Sequence, residues 1–264
     1  MKTIDQIIAQ YISSGMTREQ AGNVACQRII INKISKSPLA DNILLKGGIV
    51  MFNLTNDLRR STVDLDFDFI RHDISDSSIK AFIELLNKHD SFYHIELINL
   101  KELQQDDYRG KRANVTVSDN DTTLVFKMDI GVHALLGIEQ SSACFSFDDE
   151  QVFLKVNPPE QMFSEKLYSL AKHGALFTRF KDIYDMFYLI KYTRMDRKKI
   201  RNCLELLTIK GLYDIRSVED VCGRTNEALE DRMFLKELSR FKNKWIDESD
   251  SDIIATILDY IYSI

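Results

Sequence analysis

Apolar positions at the start of the chain recur at helical spacing. Residues 3 to 14 and 17 to 36 read as two helices, the second opening on Thr17 to Gln20 as a capping box and continuing through Val24, Ile30, Ile31 and Ile34. Both are expected to brace a sheet. Lys36-Ser37-Pro38 stops the second, because a proline pushes the residue before it out of helical conformation. Leu44 and Leu45 then end a short apolar run, Gly47 and Gly48 interrupt it, and Ile49 to Leu54 has the length and apolar content of a helix. The expected unit is a strand, a tight turn and a helix N-terminus. Glycine has no Cβ and the helix dipole favours negative charge, so backbone N–H groups at such a turn can approach a phosphate closely.

From Val63 to Phe69 the period becomes two: Val63, Leu65, Phe67 and Phe69 on one face, Asp64, Asp66 and Asp68 on the other. The first face asks for a core. The second sets carboxylates about 6.8 Å apart along the strand, and their repulsion has to be relieved by water, a basic side chain or a cation. The alternation alone fits a solvent-facing acidic edge as well as a metal site. Its place one strand after a Gly-Gly turn is where hard oxygen ligands for Mg²⁺ would stand beside phosphates.

Asp76 to His89 is expected to form a helix over one sheet face; Phe92 to Leu100, Ala113 to Val117 and Leu124 to Val132 are strand candidates, with Ser118 to Asp121 the clearest turn. In the last strand Leu124, Phe126, Met128 and Ile130 share a face, which leaves Lys127 and Asp129 on the other. Phe145 to Phe147 and Val152 to Val156 read as closing strands, and Asn157-Pro158-Pro159 marks a boundary. Beyond it the pattern is helical. In 159 to 173 Lys166 falls within the stripe of Met162, Phe163, Leu167 and Leu170, and in 179 to 192 Asp182 shares a side with Met186 and Leu189. A lysine and an aspartate in apolar stripes need partners. One arrangement is a Lys166–Asp182 ion pair joining the two helices, with Lys181 and Asp185 as a surface pair. Residues 194 to 201 form a dense basic run on the next helix, and further helices are expected at about 217 to 223, 227 to 243 and 250 to 262.

With 44% hydrophobic and 28% charged residues in 264, the chain can bury two modest cores or one large one. No stretch approaches the apolar length of a membrane span, and Asp5 and Gln6 interrupt the opening pattern, so no secretory signal, no membrane partner and a cytoplasmic location are expected. Cys26, Cys144, Cys203 and Cys222 are widely spaced, as reduced, packed thiols would be. The net charge of −5 carries no global nucleic-acid signature but leaves room for a local basic patch.

Lys46-Gly47-Gly48, then Arg60, Thr62, Asp64 and Asp66 in the order Arg-x-Ser/Thr-x-Asp-x-Asp, then Glu165-Lys166-Leu167 and Arg179-x-Lys181-Asp182-x-x-Asp185, resemble the motifs of the AbiEii/AbiGii toxin family of nucleotidyltransferases, within the polymerase-beta-like superfamily. The family has a hydroxyl residue after the second glycine, where this chain has Ile49. The resemblance implies an α/β (α+β) nucleotidyltransferase domain with a mixed sheet at residues 1–156, and a helical domain at 157–264. It also implies transfer of a nucleoside monophosphate from NTP to an acceptor. Asp64, Asp66 and Asp129 would hold Mg²⁺, as two ions; Asp64, Asp66, Lys166 and Asp182 would be catalytic, with Asp185 in support. Lys46, Gly47, Gly48, Arg60 and Thr62 would bind the nucleotide. As the toxin of a toxin–antitoxin or phage-defence system, the protein would have a cognate antitoxin and an RNA acceptor such as tRNA. Arg194, Arg197, Lys198, Lys199 and Arg201 are the candidates for holding that RNA, against the alternative of a solvated face. Two rival functions remain open: a metal-dependent nuclease, and a non-catalytic nucleotide- or RNA-binding protein on a decayed transferase fold.

Overall fold

The computed structural model describes residues 1–88, 90–103, 110–133, 135, 137–147, 150–210 and 214–264, and the chain divides into two compact units, residues 1–136 with 140–157, and residues 137–139 with 158–264. The first begins with α1 (Ile4–Ser13) and α2 (Arg18–Lys36), each opened by a full capping box, Thr3 with Gln6 and Thr17 with Gln20. Reciprocal side-chain bonds of this kind satisfy amide groups that a helix start leaves open.

Next come β1 (Ile43–Lys46), α3 (Gly48–Thr55), β2 (Leu65–Phe69), α4 (Asp76–Leu86), β3 (His94–Leu103), β4 (Gly110–Ser118), β5 (Thr123–Val132), β6 (Ser141–Phe147) and β7 (Glu150–Val156). The strands form one seven-stranded sheet in the order β3-β4-β5-β2-β1-β7-β6. It is mixed: β2 lies parallel to β5 and β1 parallel to β7, and the other neighbours are antiparallel. The alternation of β2 is decisive here, since Leu65, Phe67 and Phe69 are all buried and the rings of Phe67 and Phe69 lie 5.7 and 5.2 Å from that of Phe82 on α4.

Several boundaries differ from the pattern-based expectation. The helix expected to reach His89 ends at Leu86, and position 89 itself lies outside the described residues. Val63, expected on the core face, precedes β2 and is 59% exposed, because the chain from Thr62 to Asp64 hangs from a side chain of α2 rather than joining the ladder. The β3–β4 hairpin outruns its apolar alternation. Its far end pairs Lys101 with Arg112 and Glu102 with Lys111, and Lys111 also bonds Asp76, so charge takes over where apolar contact stops.

The second unit consists of α5 (Pro159–His173), α6 (Lys181–Tyr192), α7 (Arg197–Lys210), α8 (Val218–Glu230), α9 (Arg232–Arg240) and α10 (Asp250–Ile261). Phe163, Leu167, Met186, Leu189, Ile253 and Ile257 are among its buried residues. The break expected soon after Gly223 falls instead at Asp231, whose carboxylate accepts from the amides of Met233 and Phe234 and so caps α9. The four cysteines are free, with Cys26 and Cys203 buried and their thiols pushed up to about 12, chiefly by burial. Among the described residues no helix is long and apolar enough to cross a membrane.

Phe67→Ala should cost about 3 to 5 kcal/mol of folding stability, since it empties a fully enclosed site between two other rings. Urea denaturation measures this, and a loss under about 1 kcal/mol would show that the β2–α4 layer can collapse around the gap.

Candidate active site

Both glycines after β1 are required by what lies against them. Gly47 has φ 65 and ψ −139, a backbone conformation that favours glycine, and a Cβ there would press on the Asp66 carboxylate, 3.2 Å from its Cγ. A Cβ on Gly48 would stand 2.7 Å from Thr62 Cβ. The turn is therefore fitted to the acidic strand whether or not it also cradles an anion. Its helix, α3, starts with no side-chain cap from Gly47, and a helix start of this kind directs its dipole and first amides toward the turn. Ile49, where the family carries a hydroxyl, is buried.

One register row crosses four strands. Arg112 on β4 is opposite Asp129 on β5, Asp129 is opposite Asp66 on β2, and Asp66 is opposite Lys46 on β1. Side chains paired in this way share a face of the sheet. Asp64, just before β2, completes a group of three carboxylates whose oxygens come within 4.8 Å of one another. Arg112 grips Asp129 with both arms, Nε to Oδ1 at 2.7 Å and Nη2 to Oδ2 at 2.6 Å. Those bonds are the main reason that the Arg112 guanidinium holds its proton more firmly than usual; burial opposes them, and the charges of Asp129, Asp64 and Asp66 reinforce them. Lys46 extends to Asp68, 2.6 Å away, so the third acidic residue of the alternation is buried in an ion pair and takes no part in the group of three.

Asp64 is set from two sides. The Thr62 hydroxyl donates to its Oδ1 at 3.0 Å, and Gln27, buried on α2, donates its amide to the carbonyls of Thr62 and Asp64 at 2.9 and 3.0 Å. Arg60, expected to meet phosphates, is buried beside this segment. Three hard carboxylate oxygens at this spacing suit Mg²⁺, which is held by a few carboxylates and completes its shell with water or phosphate. The donor set fits that ion. Sequence patterns did not single out Arg112 or Gln27. A polar residue on the apolar side of α2 was the available signal for Gln27, whereas Arg112 becomes visible only when the β4–β5 register is known.

In the second unit, Lys166 of α5 bonds both Asp182 and Asp185 of α6, the latter at 2.8 Å, and Arg179 approaches Asp182 at 3.1 Å. The expected Lys166–Asp182 pair is present. Asp185, expected at the surface beside Lys181, is instead fully buried: it lies nearly one turn beyond Asp182 on the same helix face and reaches the same ammonium. The basic run is divided. Arg194 precedes α7, and with Arg197 and Lys198 it lines an open cavity of about 590 Å³ that also includes Asp196 and Tyr260. The Arg197 guanidinium lies 5.5 Å over the Tyr260 ring. Lys199 is exposed, while Arg201 is engaged by Glu219 and Glu205.

Comparison with known proteins adds a fold and a family. The structure is similar to that of JHP933 from Helicobacter pylori, with a TM-score of 0.51 and 13% identity over 94% of this chain and 93% of that one. An antigenic nucleotidyltransferase-like protein from Paracoccidioides brasiliensis gives a TM-score of 0.42 and 15% identity over 69% of this chain and 85% of that one. No match was found among curated proteins. The sequence profile described as "Nucleotidyl transferase AbiEii toxin, Type IV TA system" matches residues 28–253. A mixed sheet followed by helices, with a profile match over most of its length, makes the chain a nucleotidyltransferase belonging to the AbiEii toxin family of type IV toxin–antitoxin systems.

Proposed function

We propose that the protein moves a nucleoside monophosphate from NTP to a hydroxyl of an RNA acceptor such as tRNA, using Mg²⁺ held by Asp64, Asp66 and Asp129. The observation that carries this reading is the convergence of three carboxylates within 4.8 Å directly against the Gly47–Gly48 turn. A nuclease needs clustered acids but has no use for a phosphate turn beside them.

In the reaction the acceptor hydroxyl gives up its proton to water, its oxygen bonds to the α-phosphorus as the bond to pyrophosphate breaks, and pyrophosphate leaves with the electron pair. Mg²⁺, when bound, supplies Lewis-acid stabilisation of phosphate charge and a lowered pKa for the acceptor hydroxyl. Backbone amides at Gly47 and Gly48 receive phosphate oxygens, and Lys46 and Arg60 add positive charge near that turn. Thr62 fixes Asp64 by its hydroxyl bond, so its part in nucleotide binding is to hold a carboxylate in place. The motif resemblance gives Lys166 and Asp182 catalytic roles, with Asp185 sharing the lysine's charge. Arg194, Arg197 and Lys198 hold RNA phosphates around their cavity, with Lys199 beside them. Arg201, already paired, contributes least. A cognate antitoxin partners the enzyme, as the type IV family implies.

Incubation with each labelled NTP, Mg²⁺ and total RNA should place label on one RNA class. Asp64→Asn and Asp66→Asn should each cut that labelling by at least about a hundredfold while melting no lower than wild type, since they relieve like-charge crowding. Near-normal labelling by either variant would remove the carboxylates from the reaction.

Lys166→Ala leaves two buried carboxylates facing each other and should cost about 3 to 5 kcal/mol. Transfer is therefore read below the variant's own melting range: full activity in folded Lys166→Ala would assign the lysine to the scaffold alone.

Glutamine at Arg197, Lys198 and Lys199 together should weaken RNA binding and lower its salt slope by about 2, with NTP binding unchanged. Equal affinity and an equal slope would exclude this helix start from the acceptor site.

A further inference from the structure

Arg112 is bonded directly to a member of the acidic group, its fork closing on both oxygens of Asp129. Its side chain is 36% exposed and that of Asp129 16%, so the guanidinium keeps part of its surface in solvent. A fork of this kind occupies one lone pair on each carboxylate oxygen and leaves the others open to a ligand. The guanidinium cannot lose its charge in any ordinary pH range. A fixed positive charge bonded to one of three prospective cation ligands acts on the cation in two ways: it orients the carboxylate and it repels the ion.

We propose that Arg112 is a built-in counter-ion of the acidic group, which makes the protein take up a bare divalent cation weakly and take it up well only together with the triphosphate of the nucleotide. The inference rests on reading Asp64, Asp66 and Asp129 as cation ligands. Three carboxylates less one guanidinium leave charge enough for a single divalent ion. A second ion has to arrive with negative charge of its own, which a triphosphate supplies. Lys46 stands opposite Asp66 and is bonded to Asp68 at 2.6 Å. Without Arg112 the carboxylates would form a stronger trap for free metal.

Mn²⁺ binding to the full chain, followed by the loss of the free-ion signal in electron paramagnetic resonance, tests the proposal without reading activity. In the absence of nucleotide Arg112→Gln should bind Mn²⁺ roughly tenfold more tightly than wild type, a modest effect for removing a unit charge a few ångströms from a divalent ion. Arg112→Lys, which keeps the charge without the fork, should stay within about twofold of wild type. An α,β-methylene nucleoside triphosphate should tighten Mn²⁺ binding in wild type more than in Arg112→Gln. Unchanged or weaker Mn²⁺ binding by Arg112→Gln, or equal tightening in both variants, would overturn the proposal. Asp66→Asn separates this failure from that of the underlying reading: if it binds Mn²⁺ as wild type does, the carboxylates are not the cation ligands, and both ideas fall together.

Discussion

Like charges on neighbouring strands repel, and the arrangement around Asp66 and Asp129 follows from meeting that constraint. Directly opposed carboxylates weaken a sheet by up to about 1 kcal/mol per pair, so the row carries a cation at each end, Arg112 beyond Asp129 and Lys46 beyond Asp66. The rest is fitted around this row. Gly47 has no side chain because Asp66 occupies the space, Gly48 has none because Thr62 does, and Thr62 stands there to hold Asp64. Gln27 then supplies the hydrogen bonds that the chain before β2 cannot obtain from a neighbouring strand.

The second unit handles buried charge differently. Lys166, Arg179, Asp182 and Asp185 form a compensated cluster, two cations against two anions, at the start of α6 and the facing side of α5. Such a cluster is costly to disrupt by halves and inexpensive to keep whole. In the first unit Arg112 bonds one of three neighbouring carboxylates, so the acidic group is not matched charge for charge by that guanidinium.

Local signals in the sequence were enough for much of this. The strict alternation around Asp66, the Thr17–Gln20 capping box and the glycine pair each state a local requirement, and each element formed near where its pattern placed it. What the sequence left hidden was non-local. Asp185 looked like a surface residue beside Lys181, and it is buried and bonded to Lys166 of α5. Arg201 looked like one more member of a basic run, and Glu219 from another helix engages it. Arg112 stood in a polar pair, Lys111-Arg112, whose two members face opposite sides of the sheet and meet different acids. In each case the deciding partner lies on an element that periodicity alone cannot bring alongside.

The parallel pairing of β2 with β5 also sets an order of assembly. β3, β4 and β5 are joined as successive antiparallel neighbours, and β2 can pair early with β1 on one edge, whereas its other edge must wait for the last strand of that meander. Pairings between distant segments form slowly because loop-closure entropy is spent before contact repays it. During synthesis Asp64 and Asp66 leave the ribosome well before Asp129, and a nascent chain that has not yet yielded β5 lacks one of the three clustered carboxylates. The acidic group is therefore complete only in chains where β5 has joined β2.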